Sequence, residues 1–198
     1  IRFPRISNFT DLAPLEALEE VSVRYVSSPA EFGNPDAVIL PGTKNTMDDL
    51  KWLRESGMEA LILKAAASGT LIFGVCGGYQ MLGIEISDPT GEEYGGTVQG
   101  MGLLDTKTVF RPEKHRTRVH GTFGEMKGIL KEMEGLPFEG YEIHMGETFP
   151  AEAGSGLNGS QQAGAGQQPG NASRADHSVT PAICLADGRM DGFVRADG

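Results

Sequence analysis

Leu71-Ile72-Phe73-Gly74-Val75-Cys76-Gly77-Gly78-Tyr79-Gln80-Met81-Leu82 sets the fold class, because an apolar strand runs straight into a cysteine and then into glycines that open a helix. This is the strand-to-helix elbow in its cysteine form, Gly-x-Cys-x-Gly. A nucleophile on so tight a turn sits in strained backbone, and a side chain on Gly74 or Gly78 would crowd it. A helix N-terminus also favours thiolate over thiol. The plainer reading is that Cys76 is a small buried residue at a sharp βα turn.

Upstream, Ala37-Val38-Ile39-Leu40-Pro41-Gly42-Thr43-Lys44-Asn45-Thr46 is a second strand ending in a Gly-bearing turn. In a parallel sheet such turns gather at the carboxyl edge, where ligands bind. Backbone N–H groups around Gly42 and Thr43 would then join that of Gly77 in holding an oxyanion. The alternative is an ordinary βα turn. The stretch lacks G-x-x-x-x-G-K-[ST], and no phosphate cradle is present anywhere in the chain.

Around these two turns the pattern predicts an α/β domain. Val21 to Val26, Ala37 to Leu40 and Leu71 to Val75 read as parallel, buried strands. Thr46 and Asp49 resemble a capping box, Leu50 and Leu53 supply a helical stripe, and Gly57 supplies the stop. A second helix is expected from Met58 to Ser68, ending at Gly69. Beyond Gly83, the segments Gly102 to Phe110, Arg118 to Phe123 and Glu139 to Phe149 read as extended, extending or covering the sheet edge. Residues of about 151–178, rich in Gly, Ala, Gln and Ser, predict a floppy insertion. Order is expected to resume at Ala182 to Leu185 and to continue towards Asp191-Gly192-Phe193-Val194.

Composition narrows the partners. At 198 residues and 39% hydrophobic content the chain supports one core and one domain. With 17 basic against 27 acidic residues, the net charge of -10 repels nucleic acid and anionic membrane. No apolar run approaches the roughly 20 residues of a membrane helix, and Ile1-Arg2-Phe3-Pro4 is no secretory signal. The two cysteines, Cys76 and Cys184, make neither a disulfide framework nor a metal site. A cytoplasmic, reducing setting is expected, with Cys184 as core packing. The chain begins without Met and stops within a polar stretch, so both ends read as cut.

Four histidines are candidate partners for the cysteine. His115 lies in a charged run and reads as surface, His177 falls in the insertion, and His120 reads as a plain strand residue. In Gly140-Tyr141-Glu142-Ile143-His144-Met145-Gly146, strand alternation puts Glu142 and His144 on one face and Tyr141 and Ile143 on the other. His144 is then either a Glu-oriented histidine facing the pocket or a structural or substrate-contacting one.

Four blocks carry a resemblance: Pro4-Arg5-Ile6-Ser7-Asn8-Phe9-Thr10-Asp11, Leu40-Pro41-Gly42-Thr43-Lys44-Asn45-Thr46, VCGGYQMLG at 75–83 and GYEIHMG at 140–146. Together, in this order, they resemble the C-terminal glutamine amidotransferase domain of the cobyric acid synthases. The first block separates that family from the cobyrinic acid a,c-diamide synthases and the peptidoglycan-amidating relatives. The resemblance implies a flavodoxin-like class I amidotransferase fold, with a mainly parallel central sheet, helices on both faces and added antiparallel strands. It implies Cys76 as the nucleophile, forming a glutamyl thioester, with Gly42, Thr43, Gly77, Gln80 and His144 as oxyanion or substrate-binding positions. It implies no cofactor or metal in this domain. ATP and Mg would belong to an N-terminal synthetase domain of the same polypeptide, absent from this chain, which uses the released ammonia to amidate a bound corrinoid, adenosylcobyrinic acid a,c-diamide.

The family's catalytic histidine sits in a G-T-Y-x-H-G type motif, just downstream of a stretch like Asp187 to Gly198. The chain as given is therefore expected to be a partial domain lacking its base. The GYEIHMG block suits His144 to a structural or substrate-near role. Two other readings are a catalytically silent docking module and a different cysteine-elbow hydrolase, peptidase- or deglycase-like.

Overall fold

A computed structural model describes residues 1–126, 128–151 and 179–195, and for 113–115 the backbone alone. The insertion expected at about 151–178 lies, after Ala151, outside the described residues, and His177 with it. The side chain of His115 is likewise outside them.

After a short helix α1 (Ala13–Glu16), the chain builds one βαβ unit: β1 (Ala37–Leu40), α2 (Thr46–Ser56), α3 (Met58–Ala67) and β2 (Leu71–Gly74). β1 and β2 pair in parallel from Ala37 with Leu71 to Leu40 with Gly74. The crossover through α2 and α3 is what lets two successive strands run the same way. α2 ends where expected, at Gly57 in the left-handed region with φ of 81°. Its start differs by one residue: Asn45 is the cap, its side chain accepting from the Asp48 N–H at 2.8 Å. Asp49, read as a capping-box partner, is instead fully buried.

Beyond β2 come α4 (Gly77–Leu82), β3 (Glu85–Asp88), β4 (Gly96–Gln99), β5 (Thr106–Phe123), β6 (Pro137–Pro150), β7 (Thr180–Leu185) and β8 (Met190–Val194). Here the expectation of a mainly parallel sheet fails. Among the described residues, only β1 with β2 and β3 with β5 pair in parallel, whereas β3–β4, β5–β6, β5–β7 and β7–β8 are antiparallel. The reason lies in the connections. No long helix follows α4 in the described residues, and short links can join only antiparallel neighbours. The extended segments expected after Gly102 are present as β5 and β6, and those expected near the C-terminal end as β7 and β8. The fold is α/β, with mixed strands flanked by helices.

Val21 to Val26 is a second correction, because no strand forms there. Its Val26 carbonyl takes the Arg2 N–H at 2.8 Å, so this stretch partners the N-terminal segment and not β1. The expectation that the first two paired strands are buried holds for β1, where Val38 and Leu40 are in the core. β2 is only half-covered: Phe73 and the following Val75 are exposed and line an open cleft.

The core gathers Leu40, Leu50, Leu53, Met58, Ile62, Met81 and Ile86, all fully buried, between the βαβ unit and the start of the second sheet. Each such side chain contributes about 1.5–3 kcal/mol through removal from water. No helix among the described residues is long and apolar enough to cross a membrane.

Candidate functional site

Cys76 adopts φ 50° and ψ −115°, the one positive φ outside glycine among the described residues. Such a conformation costs on the order of 1–3 kcal/mol and persists only when its surroundings over-determine it. The surroundings here do so. A Cβ on Gly78 would lie 2.0 Å from the Leu40 carbonyl oxygen, and one on Gly74 would lie 2.5 Å from the Tyr79 Cα. Gly78 thus lets the first turn of α4 press against the end of β1, and Gly74 lets it press against the end of β2. Val75 continues the parallel ladder by donating its N–H to the Leu40 carbonyl at 2.9 Å. The cysteine comes out of this turn exposed, which removes the reading of a merely buried residue.

The turn after β1 arrives beside it. A Cβ on Gly42 would sit 3.7 Å from the Cys76 Cβ, and one on Gly77 would sit 3.5 Å from the Thr43 nitrogen. No described residue accepts the N–H of Thr43 or of Gly77. Gly42 and Cys76 therefore share one corner of an open cleft of ≈ 1560 Å³ that Ser7, Gln80, Glu142 and His144 also line, with Thr43 and the buried Gly77 packed together just behind that corner.

Several buried groups hold that corner. The Asp49 carboxylate accepts from the Thr43 hydroxyl at 2.5 Å and from the Arg5 N–H at 3.3 Å. Burial pushes its carboxyl above the usual range, against the lowering effect of the Thr43 hydroxyl and Arg5. The N-terminal segment is stitched on by Ser7 N–H to Gly42 O and Lys44 N–H to Arg5 O, both 2.9 Å. At the start of α2, the Glu93 carboxylate accepts the Met47 N–H at 3.0 Å. The loop that presents Glu93 is fixed by Asp88, whose carboxylate takes the N–H groups of Gly91, Glu92, Glu93, Tyr94 and Gly95. Burial alone would push Asp88 up, but the loop's N–H donors outweigh it and pull its carboxyl down to about 2.

β6 closes the other side. The Cys76 Sγ lies 3.7 Å from the Ile143 carbonyl oxygen. Gln80 is buried, donating from Nε2 to the Met145 carbonyl at 3.1 Å while its Oε1 lies 3.4 Å from the Thr46 hydroxyl. It braces α4 against both β6 and α2. His144 and Glu142 share a face as expected: Nε2 lies 3.0 Å from Glu142 Oε1, and Nδ1 lies 2.9 Å from the Gly146 carbonyl. Both ring nitrogens meet acceptors, an arrangement that suits an oriented side chain better than one with a lone pair to offer.

Arg189, from the turn between β7 and β8, clamps Glu142 with two hydrogen bonds of 3.0 and 2.9 Å. That clamp, first among its partners, holds the Glu142 carboxyl below the usual range. Ligand atoms of Glu142, His144 and Asp191 fall within 4.8 Å of one another. Both Glu142 oxygens are already committed to the Arg189 guanidinium, and Asp191 Oδ1 accepts the Gly192 N–H at 2.7 Å.

The remaining candidates fall out simply. His120 is exposed on β5, and Cys184 is half-buried on β7 opposite Thr122 and Met190. Asp88, Glu93 and Arg189 carry no role in the reading of the sequence, and Asp49 is read there as a helix cap. A buried brace carries no local signature, although the turn composition Asp88-Pro89-Thr90-Gly91 does mark a place where an Asp bonds its own loop.

The chain is 57% identical over 156 residues to the cobyric acid synthase of Ruminiclostridium cellulolyticum, covering 79% of the chain and 30% of that protein. It is 57% identical over 148 residues to that of Lachnoclostridium phytofermentans, covering 75% and 29%. For the Salmonella arizonae protein the figures are 50% over 153 residues, 77% and 30%. The chain thus spans about 30% of the length of these curated relatives. A solved structure described as a glutamine amidotransferase has a TM-score of 0.46 at 22% identity, covering 67% of this chain and 61% of that one. The CobB/CobQ-like glutamine amidotransferase domain family matches residues 1–180, and the chain belongs to that family.

Proposed function

We propose that the domain hydrolyses glutamine at Cys76 and passes the ammonia to an ATP-dependent synthetase domain of the same polypeptide. The observation that carries this is the strained, exposed Cys76 beside the N–H groups of Thr43 and Gly77, neither of which bonds to a described residue. The thiolate adds to the side-chain amide carbon, and the carbonyl oxygen takes up negative charge that the two N–H groups stabilise. The C–N bond then breaks as a proton reaches the nitrogen, releasing ammonia and leaving a γ-glutamyl thioester. Water cleaves the C–S bond, giving glutamate and restoring the thiol. On the family resemblance the proton carrier is the histidine of a G-T-Y-x-H-G type motif, which residues 1–198 do not contain. His144, held by Glu142 and Gly146, orients the β6 side of the pocket.

The curated relatives named as cobyric acid synthases extend the reading. On it, the ammonia amidates side-chain carboxylates of adenosylcobyrinic acid a,c-diamide in cobalamin biosynthesis, with ATP and Mg held by the synthetase domain. The test uses the intact protein with Cys76→Ala. Glutamine-dependent amidation is expected to disappear while ammonia-dependent amidation persists. Loss of both in a folded variant, or a Cys76 that resists the glutamine analogue diazo-oxo-norleucine, overturns the proposal.

A further inference from the structure

We propose that the Ser7 hydroxyl is a glutamine-positioning group, facing Cys76 across the gap that Gly42 leaves open. This rests on the glutaminase reading above and adds a residue from outside the two βα turns. Ser7 sits in the N-terminal segment, but its place is fixed by the turn after β1: its N–H donates to the Gly42 carbonyl at 2.9 Å, and Ile6 forms a bridge with Thr43. A Cβ built on Gly42 would lie 2.8 Å from the Ser7 Oγ and 3.7 Å from the Cys76 Cβ. One small volume therefore separates the hydroxyl from the cysteine, and glycine at 42 keeps that volume open.

The hydroxyl has no hydrogen-bond partner among the described residues, and Ser7 lines the same cleft as Cys76 and Gln80. The contrast with its neighbours is informative. The Thr43 hydroxyl, one turn away, is committed to Asp49, and Asn8 is committed to Asp11 and Thr10. Of these three side chains, Ser7 is the one that, among the described residues, keeps its donor and its acceptor capacity for something entering the cleft. Glutamine brings N–H donors at its side-chain amide and at its α-ammonium. With the amide oxygen assigned to the N–H groups of Thr43 and Gly77, a hydroxyl on the Gly42 side is placed to accept from a substrate N–H.

The experiment compares the intact wild-type protein with Ser7→Ala and Ser7→Thr. It reads kcat and KM for glutamine together with the rate at which iodoacetamide alkylates Cys76. Ser7→Ala is expected to raise the glutamine KM by about tenfold, the size of one lost hydrogen bond to substrate, with a smaller change in kcat. Ser7→Thr, which keeps the hydroxyl, should recover most of that loss. Iodoacetamide makes no use of the glutamine-binding contacts, so its rate should stay within about twofold, whereas a residue that merely props the elbow would alter it. An unchanged KM in Ser7→Ala, or a parallel change in KM and alkylation rate, overturns the role of Ser7 while leaving the glutaminase reading intact. A wild-type protein with no glutamine hydrolysis overturns both.

Discussion

The turns that follow β1 and β2 lie side by side and are built in opposite ways. The turn at Pro41 to Asn45 is held from outside: Asp49 beneath it, Arg5 and Ser7 along its flank, and Asn45 capping the helix beyond. The turn at Val75 and Cys76 is held from within, by absent side chains at Gly74 and Gly78 and by a cysteine forced to φ 50°. A braced turn can hold N–H groups at fixed places without strain. A strained turn can push one side chain out of the sheet edge and into the cleft. The first arrangement supplies donors and the second supplies a thiol, and each is poorly suited to the other's task.

The two turns meet at Gly78, whose hypothetical Cβ would fall 2.0 Å from the Leu40 carbonyl at the end of β1. Gly78→Ala is expected to have the largest effect of the substitutions that test the two turns. The clash is with backbone, so neither rotamer change nor small repacking relieves it, and a loss of about 3 kcal/mol, the upper end for added methyls, follows. Urea unfolding of the intact protein measures it. A Gly78→Ala variant of normal stability would mean that α4 and β1 are not in the contact described.

The contrast between the turns also explains what was legible in the sequence. The elbow announces itself, because the glycines that permit it are its neighbours in the chain and their spacing is the signal. The brace does not: Asp49 lies only six residues from Thr43 but Arg5 is 38 residues from it, and a carboxylate beneath a loop looks like any helix acid. Asp49 was accordingly assigned to a cap that Asn45 in fact makes. The same distinction governs the fold. Ala37 to Leu40 and Leu71 to Gly74 are strands with a crossover between them, so their parallel pairing could be read from the pattern. β5 is 18 residues long and pairs with β3 in one direction and with β6 and β7 in the other. Nothing local in its alternation fixes those directions, and the expectation of a mainly parallel sheet came from the family resemblance and not from these segments. Val21 to Val26 failed for a related reason, since β-branched composition does not show which backbone will pair with it.

Removing the brace tests the outer-held turn. Asp49→Ala leaves the Thr43 hydroxyl and the Arg5 N–H without their acceptor, at a cost of about 1–3 kcal/mol. The pH dependence has a definite sign. Burial raises the Asp49 carboxyl above 3.8, so in the window just above that value the folded state holds a proton that the unfolded state has released. Wild-type stability from this group is then fully present below the unfolded value and falls as pH rises through the folded one. Asp49→Ala removes that slope, and the gap between wild type and variant should be larger at the acid end of the window. Thermal unfolding across the window measures it, and a gap that grows with pH contradicts the assignment.

The smallest effect is the most discriminating, because it separates strain from packing at the elbow itself. Cys76→Gly frees a backbone that stands at φ 50° with an L side chain, which returns on the order of 1–3 kcal/mol. Glycine loses more freedom on folding, at a cost of roughly 0.5–1 kcal/mol, so the net expectation is a gain of about 1 kcal/mol. Cys76→Ala keeps the Cβ and the strain and should gain nothing. Both variants lack the thiol and should lose glutamine hydrolysis alike. Stability that rises in Cys76→Gly and not in Cys76→Ala would show that the fold stores free energy to present the sulfur. Equal stabilities in the two variants would mean that the turn is comfortable and that Cys76 is exposed without strain.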